Sequence, residues 1–319
     1  MMNGYTEKTV ATLSFLLLIT MLVSCGGFQR TPQPLRGDRS KPNIVATTSI
    51  LGDVVAQVGG ELIELHVLLP VGVDPHTFEP APRDIVMLAE ADIIFAVGLG
   101  LEALLDPLLE STSAEERVVF VSQGIELLRL SDPGKLTDNN HKHLDSDPHV
   151  WMDPNNVIIW TQNIELALSA LDPSNAETYK DNSQAYQDRL IELDAWIRAE
   201  ISQIPEEKRK IVTDHLIFGY FTTQYGLTQV GAIIPGYSTL AEPSAQDLAK
   251  LEDAILELQV SALFIGNTVN PSLAEQVAKD TGTQLVFIYT GSLSPEGGEA
   301  DTYIKYLQYN VNAMVTALK

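Results

Sequence analysis

Apolar residues along this chain fall into short β-branched runs that alternate with segments of helical period. Residues 41–48 read as a buried strand and residues 51–58, ended by Gly59-Gly60, as a helix. Residues 61–69 alternate apolar and polar positions as a second strand does, and Pro70 and Gly72 stop them. Residues 82–90 have a helical pattern, and 92–97 form another buried-strand pattern with Gly98 beyond. The order β-α-β-α-β predicts a parallel sheet covered by helices. The pattern recurs in the second half. Ile44-Val45, Gly52, Gln57 and Gly59 align without gaps on Ile211-Val212, Gly219, Gln224 and Gly226. Glu79-Pro80, Asp84 and Leu88 align on Glu242-Pro243, Asp247 and Leu251, and 92–98 finds its counterpart in 261–266. The fold class predicted is α/β, with two similar lobes of parallel sheet over residues 43–171 and 206–319.

The longest helical pattern lies between them, over 172–205. Asp172 suits an N-cap with Pro173 at the first helical position, and Pro205 ends the pattern. Tyr179, Tyr186, Leu190, Leu193, Ile197, Ile201 and Ile204 recur at threes, fours and one seven. With no internal glycine or proline it predicts one rigid linker rod of about 45–50 Å at ~1.5 Å per residue.

The N-terminus follows a different grammar. Residues 9–23 are an apolar run of secretory length, too short to span a bilayer comfortably, and small residues follow up to Cys25. This predicts a signal peptide over 1–24, with Cys25 resembling the lipidated cysteine of a bacterial lipobox. Residues 25–42, rich in Pro, Arg, Gln and Gly and without periodicity, then read as a flexible tether.

The formal charge of −22 repels phosphate backbones and argues against nucleic acid as a partner. One cysteine rules out a disulfide or a Cys-rich zinc site, so a bound metal would need nitrogen and oxygen ligands. There are 6 histidines. His66 alternates within a strand and is assigned to structure. His76, in G-V-D-P-H-T-F-E-P, and His149, in D-P-H-V-W-M-D-P, share a D-P-H triplet past the ends of predicted strands. His215 follows the strand over 210–213 in T-D-H-L-I-F-G-Y-F. Ligands of open α/β sheets bind at that edge. Two of these histidines belong to the first lobe and one to the second, so a shared metal would lie in the interlobe cleft. Three imidazoles suit zinc. Asp153 is read either as an acceptor behind a ligand imidazole or as the N-cap of a helix over 155–171. His141 and His143, in an acidic loop, are candidate metal-capture residues.

These stretches, with E-P-S-A at 242–245 and S-L-S-P-E-G-G-E-A-D-T-Y at 292–303, resemble the lipoprotein metal receptors of bacterial zinc and manganese ABC transporters. That family comprises the Znu-type and manganese-adhesin-type solute-binding proteins. The resemblance implies a non-enzymatic receptor, with two lobes joined by one long helix. It implies metal ligands at His76, His149 and His215, a lipid on Cys25 at the periplasmic or extracellular face, and delivery to a membrane permease driven by a cytoplasmic ATPase. A monomer is expected. A histidine at the third ligand position implies Zn2+, with Mn2+ as the alternative. Gly291 stands where many members of the family place an aspartate ligand, which leaves the fourth position unassigned. A manganese or iron receptor, a secreted zinc hydrolase and an adhesin with a purely structural metal are the other readings. Against the hydrolase, the chain has no H-E-x-x-H helix and no G-x-S-x-G elbow.

Overall fold

The structure is a computed structural model, described here for residues 41–105, 107, 114–129 and 146–319. The signal segment, residues 25–40 of the tether with Cys25, and His141 and His143 lie outside those residues. In the first lobe the elements are β1 (Asn43–Ala46), α1 (Ser49–Gly59), β2 (Glu64–Val67), α2 (Pro82–Glu90), β3 (Ile93–Ala96) and β4 (Val118–Phe120). Then come two long helices, α3 (Pro154–Leu171) and α4 (Ala176–Ile201). The second lobe holds β5 (Lys210–Thr213), α5 (Gly219–Tyr225), β6 (Thr228–Ala232), α6 (Ala245–Leu258), β7 (Ala262–Gly266), α7 (Ser272–Thr281), β8 (Gln284–Ile288) and α8 (Tyr303–Leu318).

Each lobe carries a four-stranded sheet of parallel pairs, in the order β2-β1-β3-β4 in the first and β6-β5-β7-β8 in the second. The repeat seen in the sequence is therefore a repeat of topology. Ile44-Val45 and Ile211-Val212 form the inner strands β1 and β5, which are buried because helices cover both faces. The aligned acids do equivalent work. Asp84 accepts the N–H of Ala81 at the start of α2, and Asp247 accepts that of Ser244 at the start of α6. Leu88 and Leu251 point into their respective cores.

The rod differs in detail from its sequence pattern. Asp172 caps the end of α3 instead of starting α4, and its carboxylate accepts from Ser174, Asn175 and the Tyr179 hydroxyl across a single 3-10 turn. The helix proper has 26 residues, so it is about 39 Å long at ~1.5 Å per residue. The gap of seven in its apolar stripe is filled by Ser183, which is buried and bonds the carbonyl of Thr161 on α3. A small residue there lets the two helices approach closely. One apolar core joins α1, α3, α4 and α8 to the inner strands of both sheets. Both lobes are thereby fixed against the same rod, with their C-terminal sheet edges facing a common cleft.

Candidate metal centre

The D-P-H triplets form the same local device twice. In the turn after β2, one oxygen of Asp74 accepts the backbone N–H of His76 at 2.9 Å. Ahead of α3, one oxygen of Asp147 accepts the backbone N–H of His149 at 2.9 Å. Aspartate closes such turns with its own side chain, and the intervening proline fixes the approach of the chain. His215 leaves the end of β5 directly, and Asp214 accepts its N–H at 2.6 Å. Asp214 also takes the N–H of Gly266 at the end of β7, so it bridges the crevice where strand order reverses. The equivalent crevice of the first lobe is filled. There the buried Glu102 carboxylate accepts from Thr47, Val97 and Gly98, and the first lobe supplies its histidines from peripheral loops instead.

The three histidines converge. His76 Nε2 lies 3.1 Å from His149 Nε2, which lies 3.2 Å from His215 Nε2. These atoms all fall within 4.8 Å of one another, and no carboxylate joins them in that group among the described residues. Exposure is 7% for His76, 0% for His149 and 2% for His215. His149 Nδ1 faces Asp147 Oδ1 at 2.7 Å, and His215 Nδ1 faces Asp214 Oδ1 at 2.7 Å. Hydrogen bonds of this kind put the proton on Nδ1 and turn the Nε2 lone pairs toward each other. Two lone pairs at that spacing repel unless an electrophile lies between them. A cation held tetrahedrally at ~2.0–2.1 Å from each nitrogen sets such nitrogens about 3.3 Å apart.

Electrostatics favours the same state. Burial, reinforced by the neighbouring His149 and His215, lowers the His76 pKa to about 2. Burial likewise holds His149 well below the ordinary imidazole range. Both rings are therefore neutral and ready to donate a lone pair at any physiological pH. Loss of affinity through proton competition at these two rings moves below pH 6, where ordinary imidazoles would place it. The two carboxylates behind the rings differ. Burial pushes Asp147 up to about 7 against the opposing His149 N–H, and one of its oxygens has no hydrogen-bond partner. Asp214 is equally buried, but His215 and the N–H groups of His215 and Gly266 bring it below the usual carboxylate value.

The structure places the other residues that the sequence singled out. Asp153 is the N-cap of α3, accepting the N–H of Asn155 at 2.9 Å. The carboxylates behind the imidazoles are Asp147 and Asp214, which the sequence reading passed over. The sequence signal was the acid inside D-P-H and in D-H. Its bearing depended on the ring turning back toward it. His66 stands half-exposed on β2, away from the cluster, beside Glu64. Gly291 is buried in the interface between lobes, where a Cβ would come within 2.9 Å of Pro75 Cδ and 3.2 Å of Thr268 Oγ1. The His76 turn thus occupies the room a side chain would need. Gly219, at the start of α5, plays a similar part, since a Cβ there would lie 2.4 Å from Asp147 Oδ2.

Residues 44–317 match the family described as zinc-uptake complex component A, periplasmic (ZnuA). The chain is 35% identical over 307 residues to the manganese-binding lipoprotein MntA of Halalkalibacterium halodurans, covering 96% of this chain and 97% of that one. It is 32% identical to the manganese ABC transporter substrate-binding lipoprotein PsaA of Streptococcus pneumoniae, over 98% of this chain and 99% of its relative. Among solved structures, the periplasmic zinc-binding protein TroA of Treponema pallidum superposes with a TM-score of 0.79 at 28% identity. That match covers 87% of this chain and 99% of the other. With the fold shared, the histidines gathered in the cleft and the similarity running nearly the whole length, the chain belongs to the ZnuA family, the metal-binding substrate-binding proteins of ABC transporters, and is a receptor, not an enzyme.

Proposed function

We propose that this protein captures Zn2+ outside the cytoplasm through His76, His149 and His215 and delivers it to the membrane permease of an ABC importer powered by a cytoplasmic ATPase. The observation that carries the reading is the convergence of three Nε2 atoms, two of them aimed by carboxylates, without a carboxylate in the same group among the described residues. Neutral imidazoles in a small tetrahedral set suit zinc, whereas manganese favours carboxylate and water oxygens. A fourth ligand from solvent would complete the set, since Pro75 crowds Gly291. Lipid on Cys25 would hold the monomeric receptor at the membrane surface, with the tether giving it reach.

Manganese is the second reading, supported by the names of the relatives MntA and PsaA. Simple competition discriminates poorly, because nitrogen sites bind zinc more tightly than manganese as a rule. The deciding measurement is the metal content and coordination number of the protein isolated from its own host. One zinc per chain with three nitrogen ligands is expected. Manganese in six-coordinate geometry would overturn the zinc assignment while leaving the receptor role intact.

A further inference from the structure

A metal bound among histidines that are 0–7% exposed needs a route in and out. His76 is the most exposed of the three. Beside it, between the lobes, lies a cavity of about 390 Å³. Its walls include Asp74 and Thr77, which flank the D-P-H turn on the first lobe, and Thr239, Glu242 and Thr268 on the second. Thr268 is also the residue that packs against Gly291. Thr268 thus joins the cavity wall to the side of the centre where a protein ligand is missing.

One hydrogen bond crosses from lobe to lobe at this wall. The Thr239 hydroxyl donates to Asp74 Oδ2 at 2.5 Å, while the other oxygen of Asp74 holds the His76 N–H. Asp147, the matching acid of the second D-P-H, turns toward its own imidazole instead. Thr239 sits on the segment after β6, and that segment is fastened to the His215 loop. Ile234 N–H donates to the Asp214 carbonyl at 2.7 Å, and Leu216 N–H to that of Gly236 at 2.8 Å. This side-chain contact therefore ties the His76 turn to the loop bearing His215. Other polar contacts between the lobes do not line the cavity: Ser292 Oγ meets Ser49 Oγ and accepts the Gly72 N–H, and the Tyr220 hydroxyl donates to the Asp147 carbonyl.

We propose that this cavity is the vestibule through which the cation reaches His76, and that the Asp74–Thr239 hydrogen bond is the bar that closes it. Asp74 and Glu242 give the vestibule two carboxylates, which draw a hydrated cation and repel anions. The proposal rests on the metal-receptor reading above. Neither Asp74 nor Thr239 belongs to the ligand group, so breaking the bar lowers the barrier to passage without favouring the filled state over the empty one.

The test measures zinc association and dissociation by stopped flow on the full chain, with a fluorescent chelator as competitor and thermal unfolding as a fold control. Thr239→Val keeps shape and loses the hydroxyl. Losing one hydrogen bond to a charged group should raise both rate constants by about tenfold and leave Kd within about threefold. Ala241→Trp fills the vestibule from its wall and should slow both rates. Thr239→Val rates within twofold of wild type, faster dissociation alone with a proportionally weaker Kd, or an Ala241→Trp variant as fast as wild type would each overturn the vestibule. Wild-type protein that bound no zinc would overturn the receptor reading instead, so the two failures are distinct.

Discussion

Asp214 and Asp147 stand behind two of the three histidines, yet isosteric amides at the two positions should behave differently. Asp214 uses both oxygens. One accepts the His215 N–H at 2.6 Å and its Nδ1 at 2.7 Å, and the other accepts Gly266 N–H at 2.8 Å. In Asp214→Asn, either orientation of the amide places an NH2 group against a buried donor. That leaves at least one donor unsatisfied and costs about 1–3 kcal/mol of folding stability. Loss of the carboxylate behind His215 should also weaken zinc binding about 10–100-fold. Asp147 spends one oxygen on the backbone N–H and Nδ1 of His149, and the other has no partner. Its pKa is pushed up to about 7, so a neutral carboxyl is already part of what the site holds near neutrality. In Asp147→Asn the amide oxygen can keep both His149 bonds with the NH2 in the vacant direction. The NH2 then stands where an oxygen already lacks a partner, so one unsatisfied buried group replaces another and stability should stay within about 1 kcal/mol of wild type. Urea unfolding of the metal-free proteins and chelator competition for zinc measure the two effects. Equal losses from both variants, or a larger loss from Asp147→Asn, would refute this account of the two carboxylates.

The lowered pKa of His76 makes metal-free stability depend on pH. Below 6.5 the unfolded chain binds a proton that the folded chain refuses down to about 2, so stability falls with pH over that window. Relative to His76→Gln, wild type should lose about 1.4 kcal/mol per pH unit between pH 6 and 4 in urea unfolding, and parallel curves would contradict it. Tyr306→Phe removes a hydroxyl that donates to the Thr290 carbonyl and accepts Trp151 Nε1 beside the His149 turn. A drop of about 1–3 kcal/mol in unfolding free energy is expected, with zinc affinity less affected than by Asp214→Asn. Replacing His141 and His143 together with alanine should leave equilibrium zinc affinity nearly unchanged, while His215→Ala abolishes tight binding. Calorimetry of the two variants would expose an error in the ligand set if they lost zinc equally. Cys25→Ala should move the protein from the membrane fraction to the soluble fraction of the host, as immunoblotting would show.

The sequence determined the layered α/β class, the internal repeat and the identity of the three histidines that meet. Each is a local or periodic property. β-branched runs between turn residues specify buried parallel strands, and a repeated D-P-H closes the same turn wherever it occurs. Helix ends were less legible because Asp172, followed by proline and serine, suits either the end of one helix or the start of the next. Only the fold decided that Asp172 caps α3 and that Asp153 starts it. The partners of the imidazoles also needed the fold. Asp147 and Asp214 adjoin their histidines in sequence, but ring orientation depends on where the lobes place the shared centre. The remaining decisions span more than 160 residues. Asp74 meets Thr239, and Pro75 fills the space beside Gly291, through tertiary packing that no local pattern encodes.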